Sequence, residues 1–306
     1  MGSRSLSLVL ASWTLLLAGC GGAAHPDDAA TALSGVEQPV AAPLPGSLES
    51  TGQTISPPEA NAPASNHFFE EKLRELREAV EFNPKDIEAH RRLAIALHDS
   101  GRAQEALSHA EIVAELRPGM RSLLELAIAY SSVSRDLEAE RIYDELLTRA
   151  PDFPIALHNL GNIAFKRGET ERAVELYGRA IAADPGYLMA HFHLADALTR
   201  AGRYREAYRT YERVLGLEPT NAHEFALFDD ALYRMASLDI KMGAHERASR
   251  LLTALLRENP RHEAAYHAYG QVLLELGRVE ESQRAFEAHE RLVEQQQSEG
   301  PVTTGE

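Results

Sequence analysis

From Asn66 onward, pairs of apolar residues recur at helical spacing and strong helix formers fill the positions between them. The periodic part is punctuated regularly. Prolines stand at Pro84, Pro118, Pro151, Pro185, Pro219 and Pro260, spaced by 34, 33, 34, 34 and 41 residues. Between them Gly101, Gly168, Gly202, Gly243 and Gly277 keep phase, with Ser134 in the one remaining glycine place. A small residue follows five positions later at Ala106, Ala139, Ala173, Ala207 and Ala248, and an aromatic four after that at Tyr143, Tyr177 and Tyr211; Phe286 follows Ser282 in the same way. Glycine permits a tight turn between helices, alanine lets two antiparallel helices approach closely, the ring fills space toward the next unit, and proline ends one unit and starts another. The pattern predicts a stack of helix pairs and no strands.

These markers resemble the tetratricopeptide repeat, a 34-residue helix-turn-helix. The third unit matches most clearly, with Leu157-His158-Asn159-Leu160-Gly161, then Gly168, Ala173, Tyr177, Ala180 and Pro185. The fourth follows with Leu194, Ala195, Gly202, Ala207, Tyr211 and Pro219. Six units are expected, starting near residues 87, 120, 154, 188, 229 and 263, after a lone helix over 66–82 and with a capping helix over 279–297. The resemblance covers about 230 of 306 residues. It departs from the family pattern where Ala127 or Ile128 replaces the usual glycine and where no aromatic follows Ala248. It implies an all-α, right-handed α-solenoid in which the first helix of each unit lines the concave side. Each unit of such an array buries its faces only against its neighbours.

The Pro219-to-Pro260 interval is seven residues too long. Seven residues are nearly two helical turns, so a helix lengthened by seven keeps almost the same face inward. Asn221 followed by Glu224 resembles an N-terminal cap, which predicts one helix over about 222–242. Its added turns are expected to project from the solenoid and carry Phe225, Leu227 and Phe228. These side chains are expected to pack on unit four or on the lengthened helix's neighbour; the alternative is that Phe225 and Phe228 form a protruding contact for a partner or a second protomer.

Upstream, Leu6 to Leu17 form a short apolar core behind the single charge of Arg4, ending in Leu17-Ala18-Gly19-Cys20. This is the layout of a secretory leader, too short for a comfortable transmembrane helix. Its end resembles the lipobox of bacterial lipoproteins, which implies cleavage of residues 1–19 and acylation of Cys20, the only cysteine. In Gram-negative lipoproteins an aspartate after the cysteine favours inner-membrane retention, so with Gly21 in that place the resemblance implies sorting to the periplasmic face of an outer membrane. The mature chain then carries 30 Lys+Arg against 46 Asp+Glu, a balance of −16. Such an exterior repels phosphates, so nucleic acid is not an expected partner and membrane attachment must come from acyl chains. Residues 21–65 hold seven prolines, five acidic residues, no lysine or arginine and no Phe, Tyr or Trp, and read as a tether with residue 20 at its head. Its coil would span roughly 35–40 Å and its stretched form on the order of 140 Å. Residues 298–306 read as a tail without fixed structure.

No catalytic signature is present: no phosphate loop, no Gly-x-Ser-x-Gly, no HExxH and no cysteine pair. His191 and His193 are separated by one residue and point about 200° apart on a helix, while His158 and Asn162 share a face but make too few ligands for a metal. No enzyme activity, cofactor or metal is therefore expected. The inward spacing of the resembled family places Arg91, Arg121, His158, Asn162, Phe192, Asp196, Tyr233, Ser237, His267 and Gln271 in a peptide-binding groove, with Glu88, Ile95, Leu124 and Ile128 beside them. Some members clamp a terminal carboxylate there; the corresponding places hold His158, Asn162, His193, Asp230 and Arg234, and Asp230 argues against that clamp. The alternative for each groove residue is a solvated or neighbour-packed side chain.

The expected function is a non-enzymatic, lipid-anchored adaptor that binds protein or peptide segments in the cell envelope. Related repeat lipoproteins act as pilotins for secretins or pili, or as adaptors for periplasmic proteases and cell-wall enzymes. The competing readings are an enzyme accessory or metal-binding protein, and a structural homo-oligomer built through the extended helix of unit five.

Overall fold

The computed structural model describes residues 62–299. They form thirteen helices and, among the described residues, no strand: α1 (Ala62–Phe82), α2 (Ile87–Asp99), α3 (Ala103–Leu116), α4 (Met120–Ser132), α5 (Asp136–Arg149), α6 (Pro154–Lys166), α7 (Thr170–Ala183), α8 (Leu188–Arg200), α9 (Tyr204–Leu215), α10 (Ala222–Lys241), α11 (His245–Glu258), α12 (Glu263–Glu275) and α13 (Val279–Glu299). From α2 onward they pair into six units, and each helix packs mainly on the one before and the one after. Successive first helices also meet, α6 with α8, α8 with α10 and α10 with α12. They therefore line the tighter, inner side of the coil. The leader, Cys20 and the expected tether up to residue 61 lie outside the described residues.

Local chemistry sets the helix ends. The Asp86 side chain accepts from the backbone N–H groups of Glu88 and Ala89 at the start of α2, and Asn221 does the same for Glu224 at the start of α10. Glu224 in turn reaches back to the N–H of Thr220 at 2.6 Å. Pro154 opens α6, where its missing N–H costs nothing. The turns inside units bring Gly101, Gly168, Gly202, Gly243 and Gly277 to φ between +72° and +79°. Ser134 fills the same place at φ +59°, which is strained for a residue with a β-carbon.

Tyr143, Tyr177 and Tyr211 are fully buried between the two helices of their units, opposite Ala127, Gly161 and Ala195. In unit six Phe286 packs on Gly270 in the same manner. Unit five puts buried Leu252 in that place, and unit one puts Ala110 there.

Two helix ends and the packing of one helix differ from expectation. Helix α1 begins at Ala62 rather than residue 66, with Pro63 in its first turn, where proline is tolerated. Helix α13 runs through Ser298 to Glu299, beyond the expected end at residue 297, and residues 300–306 lie outside the described residues. Helix α10 has the predicted extra length, but its added turns fold down rather than stand away. Leu227 and Phe228 are buried in the cluster that joins units four and five, beside Leu188, Leu215 and Leu232. Phe225 keeps 39% exposure, with its ring centroid 6.4 Å from that of Phe228. Phe228 is thus a packing residue and not a protruding contact. Its stripe continues through Leu232 and Met235, and burying that stripe outweighs exposing the end of the helix. Among the described residues no helix is long and apolar enough to cross a membrane.

Candidate peptide-binding groove

Stacking of 34-residue units brings positions 34 or 35 apart side by side on neighbouring inner helices. Arg91 on α2 meets Glu125 on α4, with Nε 2.8 Å from Oε1. His98 meets Ser132 at 3.0 Å. His158 on α6 meets His193 on α8, Nε2 to Nδ1 at 2.9 Å, with the two rings stacked at 5.0 Å and 10°. These ladders divide the inner surface into two halves of different chemistry.

The first half, from α2 to α4, is ionic at its edge. The buried Arg91 guanidinium is held by Glu125 and by Glu88 at 2.8 Å, and Arg121 donates to the same Glu125 at 2.9 Å. Both expected groove cations are therefore already neutralised, and Arg91 lies too deep to meet a ligand as an open charge. Ile95 and Ile128 stand exposed beside them.

The second half, from α6 to α12, is an aromatic and polar band. His158 is buried at 4% exposure, and burial with neighbouring His193 pushes its imidazole pKa down to about 3. It is neutral at physiological pH and works only as a hydrogen-bonding group. The Tyr187 hydroxyl lies 3.2 Å from His158 Nδ1. The bonds are all satisfied when that hydroxyl donates to His158 and His158 Nε2–H donates to His193. The Tyr177 hydroxyl donates to Asn162 Oδ1 at 2.7 Å, and the Tyr211 hydroxyl donates to Asp196 Oδ1 at 2.5 Å. Arg234 on α10 bridges to Asp196 at 3.0 Å and covers the Phe192 ring at 5.5 Å. Tyr233 stands beside His262, centroids 5.3 Å apart.

Asn162 and Asp196 line one cleft, Tyr233 and Ser237 line another, and His158 lies against Tyr177, Tyr187 and His193, so these expected groove residues do not share one role. Phe192 is buried beneath Arg234 and forms the floor of the groove rather than a contact surface. The Ser237 hydroxyl donates to the Tyr233 carbonyl at 2.8 Å, so its proton is engaged. His267 and Gln271 sit exposed at the far end, paired by an amide-to-imidazole bond of 2.9 Å. The carboxylate clamp is not formed: His158 is neutral, and Arg234 is paired with Asp196. Sequence reasoning treated Tyr177 and Tyr211 as packing alone and missed that their hydroxyls orient Asn162 and Asp196. The signal available was a polar residue directly after Gly161 and Ala195, in the two units with these tyrosines.

Two clefts open from this band. One of about 340 Å³ is lined by Asn162, Phe165, Lys166, Tyr177, His193 and Asp196. The next, of about 400 Å³, is lined by Tyr211, Asp230, Tyr233, Arg234, Lys241 and His262 among others. Among the described residues no group of three or more His, Cys, Asp or Glu is placed to hold a metal ion.

The chain is 24% identical over 233 residues to the human protein O-mannosyl-transferase TMTC3, covering 68% of this chain and 24% of that protein. It thus spans about a quarter of the length of the curated relatives it matches. A crystal structure of MamA superposes with a TM-score of 0.52 at 18% identity, covering 60% of this chain and 96% of the other. A tetratricopeptide repeat protein from Parabacteroides merdae gives 0.54 at 18% identity, with 75% and 88% covered. Sequence models described as tetratricopeptide repeat match residues 164–227, 201–268 and 239–295, residues 124–187, and residues 87–111. With these matches over most of the helical array and its repeat geometry on the inner face, the chain belongs to the tetratricopeptide repeat family.

Proposed function

We propose that this chain is a non-enzymatic adaptor that holds extended protein segments against its inner helices, tethered by acyl chains on Cys20 to the periplasmic face of an outer membrane. The observation that carries the reading is the band from His158 to Tyr233. Its amide, carboxylate and imidazole groups are fixed by the tyrosine hydroxyls and by Arg234, and two clefts open directly beside them. Preorganised polar groups beside aromatic rings suit an extended backbone and its side chains. The anchoring part rests on the Leu17-Ala18-Gly19-Cys20 sequence and the acidic balance of the chain. The transferase named among the relatives is matched over too small a share of its length to bring its activity here. The oligomer reading loses half of its surface with the burial of Phe228.

The test is capture from envelope extracts. Asn162→Ala and Tyr233→Ala should weaken capture at least about tenfold, the effect of losing a central anchor. The outer-face change Glu171→Ala should leave it intact. Unchanged capture by both groove variants would exclude the groove as the binding surface. Separately, Cys20→Ser should move the protein from the membrane to the soluble fraction.

A further inference from the structure

Tyr177 shows what surrounds a ring in this array. His158 lies 5.7 Å away between ring centroids and His193 5.8 Å away, Asn162 accepts its hydroxyl, and Gly161 makes room at its face. In unit one the corresponding residues are Arg91, Glu125, Ile95 and Ala94, and the ring position itself is Ala110. All five line one cleft of about 170 Å³, with Val113 among its other walls. Units two, three, four and six fill the matching space with Tyr143, Tyr177, Tyr211 and Phe286, and unit five with Leu252. Unit one fills it with a methyl group and leaves it open to the groove between Ile95 and Ile128, which are 52% and 37% exposed. An apolar cavity on the order of 150 Å³ accommodates one benzene ring.

We propose that this cleft is an anchor site for one phenylalanine side chain of an extended protein segment lying in the groove. The proposal rests on the groove reading above and adds the residue that the groove selects.

The chemistry of the walls chooses phenylalanine over tyrosine. In units three and four the ring hydroxyl is met by Asn162 and Asp196, whereas unit one has Ile95 at that position. The polar groups at the mouth are already engaged, Arg91 with Glu88 and Glu125 and His98 with Ser132. A hydroxyl reaching the place of Ile95 would meet an apolar side chain instead of the Asn162 or Asp196 acceptor of the other units, and the carboxylate on the cleft wall, Glu125, is already shared by Arg91 and Arg121. We take the ring from a partner protein, since residues 20–61 and 300–306 contain no Phe, Tyr or Trp to supply it.

The probe is a glycine-serine decapeptide with a central 4-fluorophenylalanine, observed by fluorine NMR in the presence of the full chain in detergent. Competition with unlabelled peptides should rank phenylalanine at least about tenfold above alanine and a few-fold or more above tyrosine, within the range that apolar pockets achieve. Ala110→Phe restores the ring that other units carry; it should abolish peptide broadening and raise the urea midpoint. A raised midpoint shows that this variant folds, so lost binding cannot be mistaken for unfolding. Equal binding of the phenylalanine and alanine peptides, or undiminished binding by Ala110→Phe, would overturn the proposal. So would a lowered urea midpoint for that variant. Binding that appears only after deletion of residues 21–61 would make the chain's own upstream segment the occupant. Self-association abolished by Phe82→Ser would make a second copy the occupant, since Phe82 is 92% exposed. Either result overturns the proposal. The groove reading fails separately, through Asn162→Ala and Tyr233→Ala in the other half of the array.

Discussion

Gly161 is fitted to the ring of Tyr177: a β-carbon built at position 161 would stand 2.5 Å from Cε1 of that ring. The ring has little room to yield, because its hydroxyl is bound to Asn162 and the His158 and His193 rings lie within 6 Å on its other sides. Units two and four carry alanine at this place, whereas unit six repeats the close fit: a β-carbon built at Gly270 would stand 2.7 Å from Cε1 of Phe286.

Gly161→Ala should therefore destabilise the protein. Removing a helical glycine gains about 1 kcal/mol, while overpacking costs about 1–3 kcal/mol. A net loss of about 1 kcal/mol is expected, read as a lower urea midpoint. An equal or higher midpoint would show that the ring moves freely.

Ser134→Gly should do the opposite. Ser134 is held at φ +59°, and a β-carbon in that region costs about 1–2 kcal/mol, partly offset by the entropy glycine loses on folding. The substitution should stabilise by about 0.5–1 kcal/mol. Thermal melts of the two proteins in one buffer decide the sign.

Stability should fall with acid before the carboxylates titrate. In the folded chain burial and His193 hold His158 at about 3, against an ordinary value of 6.5. Above pH 7 both states are neutral and the group has no effect. Below 6.5 the unfolded chain takes up a proton that the folded chain refuses, so stability is lost as pH falls. The slope is about 1.4 kcal/mol per pH unit for one such imidazole. Burial lowers His193 as well, which steepens the slope. His158→Gln should make the decline between pH 6.5 and 5 shallower, measured by urea unfolding at each pH. An unchanged slope would mean that His158 titrates as an ordinary exposed histidine.

Asp239 is fully buried, with Oδ1 accepting from Arg247 at 2.6 Å and no partner for Oδ2. Arg247→Ala strands that carboxylate and should cost about 2–4 kcal/mol. Burial already raises the Asp239 pKa, and loss of the guanidinium raises it further. The folded variant then binds a proton more readily than the unfolded chain, so its deficit should shrink as pH is lowered. A deficit independent of pH would point to lost packing instead of a stranded charge.

The repeat was legible because its markers answer to sterics that act locally. The glycine phase located the turns, and the helices of units one to four and unit six start at the residues the spacing indicated. The lengthened α10 followed from residue counting and its Asn221 cap, while the choice between packing and protrusion for Phe228 was left open by the sequence and falls to packing. That burial depends on how far α8 and α9 reach beneath the added turns, which spacing does not reveal. The pairing of the inner-face side chains was not legible. Arg91 reads as a cation in sequence and proves to be a paired, buried one, because Glu125 is its neighbour only once the units stack. The His158–His193 pair arises in the same way, from residues 35 apart that no local pattern connects.

The missing ring in unit one also has a mechanical side. The apolar clusters among the described residues are not uniform along the array: small ones join α1 to α3 and α3 to α4, and far larger ones bind units two to four and four to six. A load drawn through the upstream end enters at α1 and meets the least cohesive units first. Under such a load those units would peel away before the aromatic-filled ones yield, the upstream end stretching as a soft spring while the histidine-lined half held as a rigid grip.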